Sequence, residues 1–185
     1  QFVEIAAELN PDLEGDIRVD QYARLLYAND ASIYQIEPNA VVLPKHAQDV
    51  VAVLNIARKY GIPVFPRGGG TSLAGSTVNH GIVMDFSRYM NQVLEVNPEE
   101  KRARVQPGLV INQLNRALTG YGLQYPIDPS TSNRATIGGG IGANSCGSHS
   151  VIYGKTLDNV LSMDVVLSDG TITNFHHATG VHLQS

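Results

Sequence analysis

Nine of the 18 glycines sit in two short windows, four in Pro66–Ser76 and five in Gly138–Gly147. Three consecutive glycines, Gly68-Gly69-Gly70 and again Gly138-Gly139-Gly140, let the backbone approach another group closely and adopt positive φ without a Cβ clash. Successive N–H groups in such a loop can converge on an anion. Arg67 is the only ionisable side chain in the first window, and Arg134 the only charged one between Pro129 and Ser148. The chemistry on offer is therefore anion holding by peptide dipoles, assisted by the hydroxyls of Thr71, Ser72, Ser76, Ser130 and Thr136. A diphosphate fits that description. Hydroxyls lie in or beside both windows, which favours a site over two plain turns.

Familiar phosphate motifs fit poorly. Gly70-Thr71-Ser72-Leu73-Ala74-Gly75 has the end glycines of a P-loop, but Ser76-Thr77 replaces the required Lys-Ser/Thr pair. Gly138-Gly139-Gly140-Ile141-Gly142-Ala143 matches G-x-G-x-x-A, yet polar Asp128–Arg134 precedes it where a buried strand is required. Other reactive residues have plainer readings. Cys146 and His149 lack the further ligands a metal needs and the neighbour a nucleophile needs. His176, His177 and His182 read as a solvated chain end. Tyr121 and Tyr125 read as packing residues, and Asp158 and Asp164 as solvated or capping groups. The sequence nominates no catalytic residue and no metal site.

The elements that must position the two windows follow from periodicity. Ala40–Leu43 reads as a buried strand, Ala47–Tyr60 as an amphipathic helix stopped by Gly61, and Ile62–Pro66 as a second strand. That succession is a βαβ unit with parallel strands, and it delivers the chain into the first window. Gly81–Phe86, Val93–Asn97 and Arg102–Gln106 read as strands, with a turn at Asn97–Glu100. Leu109–Tyr121 reads as a helix, and Asn159–Leu167 with Thr171–Phe175 as a hairpin around Ser168-Asp169-Gly170. Gln1–Tyr34 is mixed and partly helical. The expectation is an α+β domain with a small parallel βαβ lobe and a larger antiparallel-sheet lobe with flanking helices.

Composition narrows the function. The chain has 185 residues, 43% hydrophobic and 16% charged, and is expected to form one domain over residues 1–185. A formal charge of −4 and the lack of a basic stripe argue against nucleic acid as a partner. No apolar run reaches the roughly 18 residues of a transmembrane segment. A single cysteine rules out an internal disulfide and points to a cytoplasmic location, with peripheral attachment to the inner membrane as the alternative. The start at Gln1 and the end soon after a strand-like run lead us to read the sequence as a piece of a longer protein.

Pro66-Arg67-Gly68-Gly69-Gly70-Thr71-Ser72-Leu73-Ala74-Gly75 resembles the first flavin-binding loop of the FAD-linked oxidases related to vanillyl-alcohol oxidase, the PCMH-type family. Asp128-Pro129-Ser130, Ala135-Thr136-Ile137-Gly138-Gly139, Asn144-Ser145-Cys146-Gly147, Tyr153-Gly154 and Leu167-Ser168-Asp169-Gly170 resemble its later motifs in the same order. Among its members the sequence is most similar to D-lactate, glycolate and D-2-hydroxyglutarate dehydrogenases. Tyr27–Tyr34 is further similar to a subgroup with an iron–sulfur region downstream.

The resemblance implies a PCMH-type FAD-binding fold, two α+β lobes with FAD between them. It implies that Arg67, Gly68, Gly69, Gly70, Thr71, Ser72 and Gly75 hold the pyrophosphate. Ser130, Thr136, Gly138, Gly139, Gly142, Asn144, Gly147, Tyr153 and Gly154 would line the rest of the cofactor. Some relatives bind flavin covalently through a histidine of the first loop; Thr71 stands there, which implies non-covalent FAD. Ile152 replaces a frequent arginine before the Tyr-Gly pair. The function implied is oxidation of a D-2-hydroxy acid, with a C-terminal substrate domain of the same chain supplying the reacting residues. The alternatives are a non-catalytic FAD- or nucleotide-holding module, and a flavin-dependent cell-wall precursor reductase sharing the fold.

Overall fold

A computed structural model describes residues 2–176. His177 and His182 lie outside them. Helix α1 (Phe2–Leu9), strand β1 (Asp16–Arg18) and helix α2 (Gln21–Leu26) lead into β2 (Ala40–Leu43), α3 (Ala47–Tyr60), β3 (Val64–Arg67) and β4 (Ile82–Asp85). Local chemistry sets the limits of α3. The His46 side chain caps its first turn by accepting from Asp49 N–H at 3.3 Å, and Gly61 ends it in the left-handed region at φ 65°. Asp49 lies in the first turn and Arg58 and Lys59 in the last, both matching the helix dipole.

Val50, Val53 and Ala57 of α3 pack with Ala40, Val42, Ile82 and Met84 of the sheet and with Leu9 of α1 in one buried cluster. The sheet order is β1-β2-β4-β3. Strands β2 and β3 run parallel, as the βαβ spacing suggests, but they are not neighbours, because β4 is inserted between them and pairs parallel with both. The reason is burial: all four residues of β4 are buried, and an apolar strand covered on both faces takes the sheet centre. The short strand β1, unread in the sequence, adds antiparallel to the outer edge of β2.

A second core lies C-terminal to this one. Hairpin β5 (Val93–Asn97) and β6 (Arg102–Val105) supplies Val93, Val96 and Val105. Helix α4 (Ile111–Thr119) lays Ile111, Leu114 and Leu118 against them. Hairpin β7 (Ser162–Val166) and β8 (Ile172–His176) turns at Gly170, φ 87°. The second glycine window is largely helical: α5 (Ile137–Gly142) is followed by the single turn α6 (Ser150–Tyr153). Each glycine in a helix costs about 1 kcal/mol against alanine. Here tertiary contacts override that preference. The Thr136 hydroxyl accepts from Gly139 N–H at 3.3 Å, Ile137 is buried, and Gly138 lies so close to Pro107 that a Cβ would come within 2.7 Å of the ring.

Asp49 makes the most consequential polar tie in the first lobe. It is fully buried and accepts from Glu14, Gly15 and Lys45 N–H at 2.9, 3.0 and 2.8 Å, joining the β1 approach to the start of α3. Asp49→Ala would strand three donors, and hydrogen bonds to a charged group contribute about 1.5–3 kcal/mol each. The variant should lose at least about 3 kcal/mol in urea unfolding. Arg104→Ala, which removes only the exposed 2.7 Å pair with Asp164, should stay within about 0.5 kcal/mol.

Candidate functional site

The first glycine loop leaves the C-terminal end of β3 and is built around Arg67. The guanidinium Nη2 donates to Asn29 O at 2.7 Å, and Nη1 to Thr77 O at 3.3 Å and Tyr27 O at 3.5 Å. It also lies over the Tyr27 ring, 5.3 Å from the centroid. The Tyr27 hydroxyl in turn donates to Asp85 Oδ2 at 2.6 Å, while Ser87 N–H donates to Oδ1 at 2.7 Å. Burial and then the Asp85 carboxylate push the Tyr27 phenol upward, so it remains a donor. Burial lowers Arg67 from its ordinary value, with Asp85, Tyr27 and Asp30 opposing that shift.

Residues 27–34 buttress the loop throughout. Ala31 N–H donates to Gly70 O at 3.0 Å, and Thr77 Oγ1 to Asp30 Oδ2 at 2.9 Å. Burial of the Asp30 carboxyl opposes ionisation, but the hydrogen bonds from Ser32 and Thr77 outweigh it and hold its pKa below the usual range. Gly70 and Gly75 have φ 63° and 72°, and Gly75 packs directly on the Tyr34 ring. The Ser72 hydroxyl accepts from Ala74 and Ser76 N–H and lies 2.5 Å from Ser76 Oγ. By contrast, the amides of Gly68, Gly69, Gly70, Thr71 and Ser72 donate to no acceptor among the described residues. A run of unpaired amides on a braced loop is what an anion site requires.

The second window comes up against this loop. A Cβ on Gly68 would overlap Thr136 Oγ1, and one on Gly69 would overlap the Arg134 carbonyl oxygen. Only glycine allows that approach. The window is itself held from behind, where Ile137 and Gly138 N–H donate to Leu109 and Pro107 carbonyls at 2.9 and 2.8 Å. Further on, Asp128 accepts from Ser148 Oγ at 2.6 Å and His149 N–H at 3.0 Å, and these bonds hold its pKa below the usual carboxylate range. Gly147 lies against Asp128, where any Cβ would collide.

The structure thus brings Gly68, Gly69, Thr136 and Gly139 to one junction. Gly142 has open space beside it, and Ser130 is exposed. Asn144, at φ 42°, lies two residues past the end of α5, and its side-chain oxygen accepts from Leu157 N–H at 3.0 Å. Tyr153 is half-exposed and edge-on to His149, and Gly154 turns at φ 75°. Sequence reasoning missed Tyr27, Asn29, Asp30, Tyr34 and Asp85 as loop supports, and Asp128 as a tether. The stretch 27–34 and the Asp128-Pro129-Ser130 motif were signals for most of these; Asp85 gave none.

A family profile described as an FAD binding domain matches residues 38–176, the span containing both windows. The chain belongs to the FAD-binding domain family. Its cofactor is FAD, and the junction of unpaired amides suits the diphosphate. This FAD-binding domain is 44% identical over 161 residues to D-2-hydroxyglutarate dehydrogenase of Escherichia coli (strain K12), covering 85% of this chain and 16% of that enzyme. It is 41% identical over 152 residues to glycolate oxidase subunit GlcD of Bacillus subtilis (strain 168), covering 80% of this chain and 32% of that subunit. The chain therefore spans about a sixth of the first relative's length and a third of the second's. Among solved structures it superposes on alkyldihydroxyacetonephosphate synthase with a TM-score of 0.85 at 26% identity, covering 99% of this chain and 39% of that one. On p-cresol methylhydroxylase the TM-score is 0.75 at 19% identity, over 94% of this chain and 35% of that one, which shows the shared fold. The α+β, PCMH-type expectation holds.

Gly68→Ala tests the junction. The new Cβ would collide with Thr136, which is 1% exposed and fixed as the cap of α5. FAD affinity should fall at least about tenfold, roughly 1.4 kcal/mol, in a fluorescence titration. Wild-type affinity would show that the two windows need not touch.

Proposed function

We propose that this chain is the FAD-binding domain of a flavoprotein that oxidises a D-2-hydroxy acid to a 2-oxo acid. One observation carries the reading: a braced loop with a run of unpaired amides from Gly68 abuts the second glycine window in a chain 44% identical to a D-2-hydroxyglutarate dehydrogenase. When bound, FAD supplies the two-electron acceptor chemistry. The chain's own part is to grip and orient the cofactor.

In this reading the amides of Gly68, Gly69, Gly70, Thr71 and Ser72 take the diphosphate, with Gly75 turning the loop back. Ser130, Thr136, Gly138, Gly139, Gly142, Asn144, Gly147, Tyr153 and Gly154 border the remainder. Thr71 offers a hydroxyl and no imidazole, so attachment is non-covalent. A further domain of the full protein covers the exposed apolar run Val151, Ile152 and Tyr153 and provides the groups that hold the hydroxy acid. Among the described residues no helix is long and apolar enough to cross a membrane. The single cysteine favours a cytoplasmic location.

Two measurements check this. The purified chain, mixed with FAD and passed through gel filtration, should retain flavin absorbance near one equivalent; a folded sample eluting colourless would contradict the binding role. The full-length protein should lose its oxidised-flavin absorbance anaerobically with D-2-hydroxyglutarate, D-lactate or glycolate. Bleaching by NADPH alone would instead favour the cell-wall precursor reductase.

A further inference from the structure

Arg67 is the one cation of the first glycine loop, yet its guanidinium is committed to the protein. Three of its N–H donors go to carbonyls on both sides of the loop. Tyr27 and Asn29 lie on the buttress, and Thr77 lies just past the loop's far end. Arg67 precedes the loop and Thr77 follows it, so the bond between them closes Gly68–Ser76 into a ring. The loop backbone rests on the same group, since a Cβ on Gly70 would sit 2.5 Å from Nη2. The Tyr27 ring beneath the guanidinium is fixed by its bond to Asp85, and Asp85 is 7% exposed at the end of β4, the centre of the sheet. A continuous chain of contacts therefore runs from the most buried strand through Asp85, Tyr27 and Arg67 to the unpaired amides.

We infer that Asp85, Tyr27 and Arg67 are positioning residues that preset the first glycine loop for the diphosphate, and that Arg67 acts through the loop without pairing with the phosphates. The inference rests on the proposed reading of this loop as the diphosphate holder. Its physical basis is preorganisation: a loop already held in shape costs little ordering when the ligand arrives, and the planar fork of arginine spreads its N–H donors over carbonyls that the compact ammonium of lysine cannot span together.

The test titrates FAD and riboflavin, which lacks the diphosphate, into the chain and into Tyr27→Phe and Arg67→Lys. Flavin fluorescence is read at low and high salt, well below each variant's melting temperature. Tyr27→Phe keeps every charge and loses one hydrogen bond, so its FAD affinity should weaken about fivefold. Arg67→Lys keeps the charge and loses the fork, so its affinity should weaken at least about tenfold. Riboflavin affinity and the salt dependence of FAD binding should match the wild type in both. Equal FAD affinity for Arg67→Lys and the wild type would overturn the inference, as would an unchanged Tyr27→Phe. Equal losses of FAD and riboflavin affinity would assign the residues a general structural role and overturn it too. If Arg67→Lys does not fold, Tyr27→Phe decides alone. A wild-type chain that fails to bind FAD sinks the proposed function itself, whereas wild-type binding with unaffected variants sinks only this inference.

Discussion

Two stretches of chain meet where the first has no side chains, at Gly68 against the Thr136 side chain and Gly69 against the Arg134 carbonyl. Any Cβ at either glycine would push the segments apart. Each lobe has its own apolar core, and each core terminates its elements so that the glycines reach this seam. In the first lobe, β3 ends at Arg67, directly before the loop. In the second, Leu109, Ile111 and Ile137 share a core and hold α5 beside the β6–α4 connection. The seam is where the two lobes meet.

The site's electrostatics follow from the same arrangement. A net acidic chain holds an anion most economically with oriented amides, which carry partial positive charge and need no counter-ion when the site is empty of ligand. The one arginine in the loop is then free to shape the backbone. The carboxylates nearby, Asp30, Asp85 and Asp128, accept hydrogen bonds from hydroxyls and amides of the protein, so their charge is already compensated.

How much of this was legible in the sequence depended on how local each cause is. Helix α3 could be read to the residue because His46 and Gly61 cap it locally, and the hairpin turn at Gly170 for the same kind of reason. The insertion of β4 between β2 and β3 was not legible, since strand order is settled by which strand can be buried on both faces. The helical state of Ile137–Gly142 ran against glycine's propensity and depended on Pro107, Thr136 and a buried Ile137, contacts invisible to a window of sequence. At the site, the glycines announced close approach but not to what. Arg67 showed its charge in the sequence, while the three carbonyls that engage it are set only by the fold. Asp85 read as the end of a strand, and nothing near it in sequence pointed to Tyr27.

Amide hydrogen exchange, followed residue by residue as FAD is added, addresses the central claim most directly. The account expects exchange at Gly68, Gly69, Gly70, Thr71 and Ser72, fast in the free protein, to slow markedly in proportion to bound FAD. Stoichiometric FAD binding with those five amides still exchanging freely would contradict it.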